Sequence, residues 1–168
     1  ALFSMYSKCD RTEDACVLFL ELPEKDVVTW TSLIGAYCRR GLDREAVELF
    51  QEMVVSGLQP DEVLVSCVLS GLGNSGNVRR GKAFHAAIIK RNSGDNLLVA
   101  NALISMYGKL ELVDAAGKVF GVLHQRDAES WSLMVVLYCK AGLDVKCLEL
   151  CREMHCRDHD EFLCDINS

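Results

Sequence analysis

The chain has 168 residues, half of them hydrophobic and only two of them proline, and its formal net charge is −6. This composition excludes an extensively disordered chain, since such chains lack the apolar residues to build a core. No apolar run approaches the roughly 18 residues of a membrane-spanning helix, so we expect a soluble protein that makes no membrane contact. The sequence starts inside a predicted helix, and we expect it to be an excerpt of a longer protein.

A long part of the sequence recurs 101 residues later. ALFSMYSKC at 1–9 returns as ALISMYGKL at 102–110, and the segment at 30–53 returns at 131–154. Four polar residues each close a unit, and their spacings give unit lengths of 35, 35 and 31 residues: Asp26, Asp61, Asn96 and Asp127. Units of this length are typical of stacked helical repeats with a long concave surface. We therefore predict an all-α fold, an α-solenoid of tandem helix-turn-helix units.

The unit at 27–61 shows the predicted hairpin most clearly. Apolar residues recur at helical spacing in two stretches, separated by a turn at Gly41 and ended by Pro60. Asp43 follows the turn, and we expect it to be the N-cap of the second helix. The next unit keeps this shape with a predicted turn at 73–77. The predicted parts are a partial unit at 1–26, units at 27–61, 62–96 and 97–127, a degenerate unit at 128–160 and the start of another at 161–168.

Nine cysteines raise the question of disulfides or zinc. Cys38 and Cys139 occupy the same position of their units, whereas Cys147 and Cys151 stand where the unit at 27–61 has alanine and phenylalanine. Packing of small apolar side chains between helices explains these cysteines more simply than chemistry does. So many unpaired thiols indicate a reducing compartment.

The C-terminal segment offers two alternatives that involve zinc. The first is a cluster of potential ligands: Cys147, Cys151, His155, Cys156 and His159. Structural zinc sites usually have tighter CxxC pairs than this cluster. The second is the HxE half of a zinc deaminase signature at 159–161, but the PCxxC half is missing and a junction between units explains the same residues. We predict no metal, no cofactor and no enzymatic activity.

Cations recur at the thirteenth position of the units although the net charge is negative. We call these residues the basic stripe: Lys8, Arg39, Lys109 and Lys140. Asn74 is the exception. Stacked units would align the stripe in a way that suits the backbone of an extended polyanion. The alternative is that each cation stabilises the dipole of its own helix. Other basic residues lack this periodicity and are interpreted as a solvated face: Arg79, Arg80, Lys82, Lys90 and Arg91.

Three stretches carry the motifs of a known family. They are VVTWTSLIGAYCRRGLDREAVELFQEMVVSGLQPD at 27–61, NALISMYGK with KVF and a closing RD at 126–127, and SMYSKC with LPEKD at 22–26. These stretches resemble pentatricopeptide repeats. The spacing is similar to the plant PLS subfamily, with 27–61 as P-type, 62–96 as L-type, 97–127 as S-type, 1–26 as a partial S-type and 128–160 as a degenerate P-type unit. The resemblance implies a right-handed superhelix that binds single-stranded RNA in mitochondria or chloroplasts, one base per unit.

The resemblance also implies which residues contact RNA. In the family, the fifth and last residues of a unit hydrogen-bond the base edge, and an aliphatic second residue lies between bases as a wedge. The fifth residues are Thr31, Ser66, Asn101 and Ser132. The closing residues are Asp61, Asn96, Asp127 and Asp160. The wedges are Val28, Val63 and Leu98, with Glu129 as a departure. The family's code implies guanine for Thr31 with Asp61, adenine for Ser66 with Asn96, uracil for Asn101 with Asp127, and guanine for Ser132 with Asp160.

Arrays of this subfamily often guide cytidine-to-uridine editing of organellar transcripts. The resemblance therefore implies editing cofactors or a deaminase as partners of regions outside this chain, and it implies no DNA binding. The alternative from the residues is a protein-binding scaffold of the tetratricopeptide kind, because Trp30, Leu33 and Tyr37 fit part of its WxxLGxxY signature. The unit lengths of 35 and 31 do not suit that alternative.

Overall fold

The computed structural model describes residues 12–90 and 96–166, with side chains described at 13–14, 16–90 and 96–155. Every regular element in these ranges is an α-helix. The helices are α1 (Thr12–Glu21), α2 (Val27–Arg39), α3 (Asp43–Val55), α4 (Glu62–Asn74), α5 (Val78–Lys90), α6 (Leu97–Lys109), α7 (Val113–Val122), α8 (Ala128–Lys140) and α9 (Asp144–Ile166). Among the described residues, no helix combines the length and apolar character needed to cross a membrane.

Consecutive helices pair as hairpins, and the hairpins stack in one direction. Within each hairpin the first helix contacts the second, and it also contacts the first helix of the next hairpin, as α2 does with α4, α4 with α6 and α6 with α8. The second helices α3 and α5 meet through side chains, with the ring centroids of Phe50 and Phe84 4.9 Å apart. The first helices therefore form one closely packed wall. The predicted all-α solenoid is confirmed, and its handedness stays a prediction.

Residues that recur in the sequence pack in the same way in both copies of the repeat. Two equivalent clusters join a second helix to the next first helix: Phe19 with Trp30 and Lys25, and Phe120 with Trp131 and Arg126. Their rings meet edge to face at centroid distances of 4.7 and 5.1 Å. The cation lies 5.1 and 4.3 Å from the phenylalanine centroid, close enough for cation–π attraction. Both tryptophans are 5% exposed, so the matched residues bury the same surface in both copies.

The 31-residue spacing between Asn96 and Asp127 arises in the second helix. Helix α7 has 10 residues, whereas α3 and α5 have 13. The first helices α2, α4, α6 and α8 all have 13 residues. The shorter unit thus loses almost one helical turn from its second helix and keeps the wall of first helices regular.

The turns between paired helices use a residue with left-handed backbone conformation. Gly41 and Gly142 take this place with φ of 69° and 67°, and Glu111 takes it in the unit at 97–127 with φ of 59°. A side chain with a Cβ is disfavoured in this region by about 1 kcal/mol, whereas glycine adopts it freely. Gly76 takes the same place in the unit at 62–96 with φ of 69°, so the Glu111 turn is strained relative to its three glycine counterparts.

We expect Glu111→Gly to raise the free energy of unfolding by up to about 1 kcal/mol, since it removes this strain. Urea unfolding followed by circular dichroism measures the change. Gly142→Ala is the matched control at the same register. No atom lies within 4 Å of a Cβ at position 142, so only the backbone preference changes and stability should fall. A Glu111→Gly variant that is less stable than the wild type would contradict the interpretation.

The prediction that Asp43 is an N-cap is wrong. Helix α3 begins at Asp43, and its N-cap is Leu42, which makes no capping hydrogen bond through its side chain. The Asp43 side chain is buried between units, which raises its pKa, while a hydrogen bond with Ser75 and the charge of Arg80 act in the opposite direction. Asp43 therefore links α3 to the turn of the next hairpin. The sequence did not reveal this contact because the partners lie in different units.

Two helix ends differ from the predicted pattern. The turn predicted at 73–77 is confined to 75–77, because α4 continues through Asn74. Helix α9 continues through Asp160 to residue 166, so no new helix begins there. The residues that precede Asp160 include no glycine or proline of the kind that ends α3, and the helix has no signal to stop. The Asp160 side chain and Lys8 lie outside the described residues.

Candidate nucleic-acid interface

Unit positions 2, 5, 9 and 13 lie on one side of each first helix, because they are three or four residues apart. We call this side of α2, α4, α6 and α8 the first-helix face. Val28, Val63 and Leu98 at position 2 are 70%, 63% and 44% exposed. Glu129 is also exposed at the same position of α8. Aliphatic side chains exposed at matched positions of three successive helices mark a shared surface rather than isolated exceptions.

Two shallow grooves on the first-helix face bring the predicted contact residues together. One groove, of about 160 Å³, is lined from three helices by residues that include Ser66, Leu98, Asn101 and Glu129. The neighbouring groove, of about 200 Å³, is lined by residues that include Lys109 and Lys140. Ser105 lines both grooves, so they are adjacent. The structure thus places predicted base-contacting, wedge and phosphate-contacting residues side by side.

The fifth and closing residues of the unit at 97–127 are directly bonded. Asn101 Nδ2 donates to Asp127 Oδ1 at 3.2 Å and to Oδ2 at 3.4 Å. The backbone N–H of Ser130, at 2.8 Å from Asp127 Oδ1, lowers the pKa of Asp127, and Asn101 lowers it further. Asp127 is therefore ionised at neutral pH and holds the amide nitrogen of Asn101. Asn101 Oδ1 is consequently turned away, buried and without a hydrogen-bond partner among the described residues.

The closing residues have a second role that the sequence interpretation missed. Asp61, Asn96 and Asp127, like Asp26 before them, are each the N-cap of the following first helix. Asp61 Oδ1 accepts from the N–H of Leu64 at 2.7 Å, and Asn96 Oδ1 accepts from the N–H of Leu98 at 2.9 Å. Such acceptors satisfy N–H groups that have no partner within the helix. The signal was present in the sequence, since an aspartate or asparagine directly before an apolar helix is a typical N-cap.

The other fifth residues have different surroundings. Thr31 Oγ1 is buried and has no hydrogen-bond partner among the described residues. Ser66 is half-buried in its groove. Ser132 Oγ donates to the carbonyl of Ala128 in its own helix at 2.7 Å. Among the described side chains, a direct hydrogen bond between the fifth and the closing residue is thus seen in the unit at 97–127.

The described members of the basic stripe lie in the last turns of their helices. Arg39, Lys109 and Lys140 are exposed at the ends of α2, α6 and α8. Lys109 Nζ donates to Ser70 Oγ on the preceding first helix at 3.4 Å, so its ammonium group reaches the boundary between two units. This position suits both interpretations of the stripe, because it is close to a helix C-terminus and also on the first-helix face.

The potential zinc ligands near the C-terminus lie partly outside the described side chains. Among the described residues, no three histidine, cysteine, aspartate or glutamate side chains are grouped so that they could hold a metal ion. Cys147 and Cys151 are half-buried, in keeping with packing between helices. The side chains of Cys156 and His159 lie outside the described residues.

Comparison with known families identifies the repeats. A model of the PPR repeat family matches residues 25–74, and a PPR repeat model matches residues 1–27, 99–127 and 129–159. These matches together cover most of the chain. This chain belongs to the pentatricopeptide repeat family. The match favours pentatricopeptide over tetratricopeptide units.

Relatives of this pentatricopeptide repeat chain occur in Arabidopsis thaliana. One pentatricopeptide repeat-containing protein is 36% identical over 153 residues, which are 91% of this chain and 17% of the relative. A chloroplastic relative is 34% identical over 154 residues, which are 92% of this chain and 16% of the relative. A putative mitochondrial relative is 34% identical over 154 residues, with 92% and 24% covered. The chain spans about a quarter or less of the length of these curated relatives, and the locations named for two of them agree with the expected mitochondrion or chloroplast.

Solved structures of a maize family member share the fold. The pentatricopeptide repeat protein PPR10 from maize superposes with a TM-score of 0.74 at 25% sequence identity, over 93% of this chain and 24% of PPR10. The structure of PPR10 in complex with an 18-nt psaJ RNA element gives a TM-score of 0.71 at 25% identity, over 91% and 24%. The pentatricopeptide repeat array is therefore similar to a solenoid that has been observed with RNA.

Proposed function

We propose that the first-helix face of this pentatricopeptide repeat array binds single-stranded RNA, with one base read by each unit. The family match and the PPR10–RNA complex support RNA as the ligand. The bond between Asn101 and Asp127 is the observation that carries the proposal. It joins two residues expected to read one base, and it gives that pair a fixed donor and acceptor orientation.

The orientation of Asn101 suits uracil. Its Nδ2 is held by Asp127, so the unpartnered acceptor Oδ1 is the group proposed to meet a base, and because this atom is buried the side chain must shift toward its groove on binding. The Watson–Crick edge of uracil presents an N3–H donor, whereas cytosine has an acceptor at that position. A buried acceptor without a donor costs about 1–3 kcal/mol, and a base that supplies an N–H offsets this cost. The acceptor is compatible with the N–H of uracil and also with that of guanine, and the family's code selects uracil as the base proposed for the unit at 97–127.

The remaining contacts are assigned from the family's code. We assign guanine to Thr31 with Asp61, adenine to Ser66 with Asn96, and guanine to Ser132 with Asp160. Exposed Val28, Val63 and Leu98 would lie between adjacent bases and shield their faces from water. The basic stripe would contact the phosphates. Glu129 places a carboxylate beside this path, so we expect the unit at 128–160 to contribute least.

The wider role is a proposal about the longer protein. The spacing of 35, 35 and 31 residues supports membership of the plant PLS subfamily. We infer that the array serves organellar RNA processing as the recognition part of a cytidine-to-uridine editing protein. Editing cofactors or a deaminase would act through regions outside this chain, and DNA would not be a ligand.

Fluorescence anisotropy with labelled oligonucleotides tests the proposal. The probes are single-stranded RNAs that carry guanine and uracil two positions apart in both orders, because the units assigned to these bases have one unit between them. We expect saturable binding at 50 mM salt that weakens as salt increases. The control is the same sequence annealed into a duplex, which hides the base edges. No binding, or equal binding of the duplex, would refute the proposal.

A further inference from the structure

Two thiols face each other across the hairpin formed by α8 and α9. The Sγ atoms of Cys139 and Cys147 are 2.8 Å apart, compared with about 2.05 Å in a disulfide. Cys139 is exposed near the end of α8, and Cys147 is half-buried at the start of α9. The turn at 141–143 is all that separates the two helices. Only a small movement would therefore bring the two sulfur atoms to bonding distance.

The equivalent thiol earlier in the array is a natural comparison. Cys38 occupies the same unit position as Cys139 but is 8% exposed. It is hydrogen-bonded to Cys67 of α4, and this bond, together with burial, raises the pKa of Cys38. The next first helix covers Cys38, whereas Cys139 is open to solvent. The described residues thus include two thiol pairs: Cys139 is exposed beside Cys147, whereas Cys38 is buried beside half-buried Cys67, whose pKa the bond with Cys38 lowers to about 7.

We propose that Cys139 and Cys147 are a redox modification site that closes into a reversible disulfide with a small disulfide of the glutathione class as oxidant. The Cys139 thiolate attacks one sulfur of oxidised glutathione, whose S–S bond breaks and releases the first glutathione thiolate. The Cys147 thiol then loses its proton to solvent, and its thiolate attacks Cys139 Sγ and displaces the second glutathione. Two protein thiols are oxidised, and one glutathione disulfide is reduced to two thiols.

The order of these steps follows from the surroundings of the two thiols. The hydrogen bond with Cys139, followed by burial, raises the pKa of Cys147 to about 11, so Cys147 is the poorer nucleophile at first. Exposed Cys139 meets the oxidant before Cys147 does. Once Cys139 carries glutathione, its sulfur is no longer a thiolate that accepts from the Cys147 S–H group. The largest cause of the raised pKa is then removed, and Cys147 becomes a better attacking group for ring closure.

Peptide mapping of the whole chain tests the site. The protein is equilibrated in glutathione buffers of increasing oxidised fraction, its free thiols are trapped by alkylation, and it is digested with trypsin. Cleavage after Arg126, Lys140 and Lys146 places Cys139 in peptide 127–140 and Cys147 in peptide 147–152. We expect these two peptides to become linked and to separate on reduction with dithiothreitol.

Two serine variants identify the partner of Cys139, because Cys151 lies in the same tryptic peptide as Cys147. The link should survive in Cys151→Ser and be lost in Cys147→Ser, with circular dichroism confirming that both variants keep their helices. No link in the most oxidising buffer would overturn the proposal. A link that persists in Cys147→Ser, or one found only between two chains on a non-reducing gel, would also overturn it. None of these readouts depends on RNA binding.

Discussion

Replacing Arg39, Lys109 and Lys140 with alanine should weaken single-stranded RNA binding about 100-fold at 0.1 M salt, by the same factor for every sequence. Each cation that neutralises a phosphate of a single strand releases about 0.7 counterion. At this salt concentration, the release raises the binding affinity by a factor of about five. Three such cations together therefore contribute a factor of about 100. The slope of log affinity against log salt should become shallower by about two. Anisotropy titrations at four or more salt concentrations measure both quantities.

A triple alanine variant on α5 is the matched control for the basic stripe. Arg79, Lys82 and Lys90 are exposed on a second helix, away from the first-helix face. Each triple variant removes three cations, so both change the net charge from −6 to −9. Equal losses of RNA affinity in the two variants would show that the effect comes from net charge alone. Unchanged binding in the stripe variant, with lower thermal stability, would show that its cations serve only the ends of their helices.

Asn101→Thr should change the preferred base of the unit at 97–127 from uracil to guanine, with a change in the ratio of the two affinities of about tenfold or more. A matched hydrogen-bonded pair is worth about 1–3 kcal/mol of discrimination. The substitution removes the amide that occupies the Asp127 carboxylate and reproduces the pair formed by Thr31 and Asp61. A carboxylate released in this way can accept from the N1–H and N2–H groups of guanine. Dissociation constants for four oligonucleotides that differ at this base measure the change.

Two further variants show whether the change in base preference depends on the fifth and closing residues of a unit, which we call the reading pair. Thr31→Asn is the reciprocal substitution and should shift the base of the unit at 27–61 from guanine toward uracil. Ser105→Thr enlarges a side chain in the same grooves without touching the pair, and it should leave base preference unaltered. Equal affinity of the wild type for all four bases would remove the base-reading proposal, as would an unchanged preference in both reading-pair variants.

The sequence predicted the helical hairpins because their determinants are local. Apolar residues at helical spacing and glycines at positions such as 41 and 142 specify where each helix lies and ends. The first-helix face also followed from the sequence. Four first helices of equal length that stack in register must present matched positions on one side.

Contacts between units were not predictable in the same way. The position of Asp43 after a turn suggested an N-cap, but its environment is set by Ser75 and Arg80 of the next unit. Cys38 and Cys139 occupy equivalent positions and yet differ in exposure, because only Cys38 is covered by a following helix among the described residues. Equivalent positions in a repeat share a backbone geometry, whereas burial and hydrogen bonding depend on the neighbours that each unit has.

The closing residues that cap helices also limit how such an array can acquire a new target. A substitution that changes the base read at this position must still supply an acceptor for the start of the following helix. Asparagine, aspartate, serine and threonine supply such an acceptor, whereas most other residues lower the free energy of unfolding by about 1 kcal/mol. Evolutionary drift at Asp61, Asn96 or Asp127 is therefore confined to a small repertoire of side chains, and engineering of new specificities faces the same restriction.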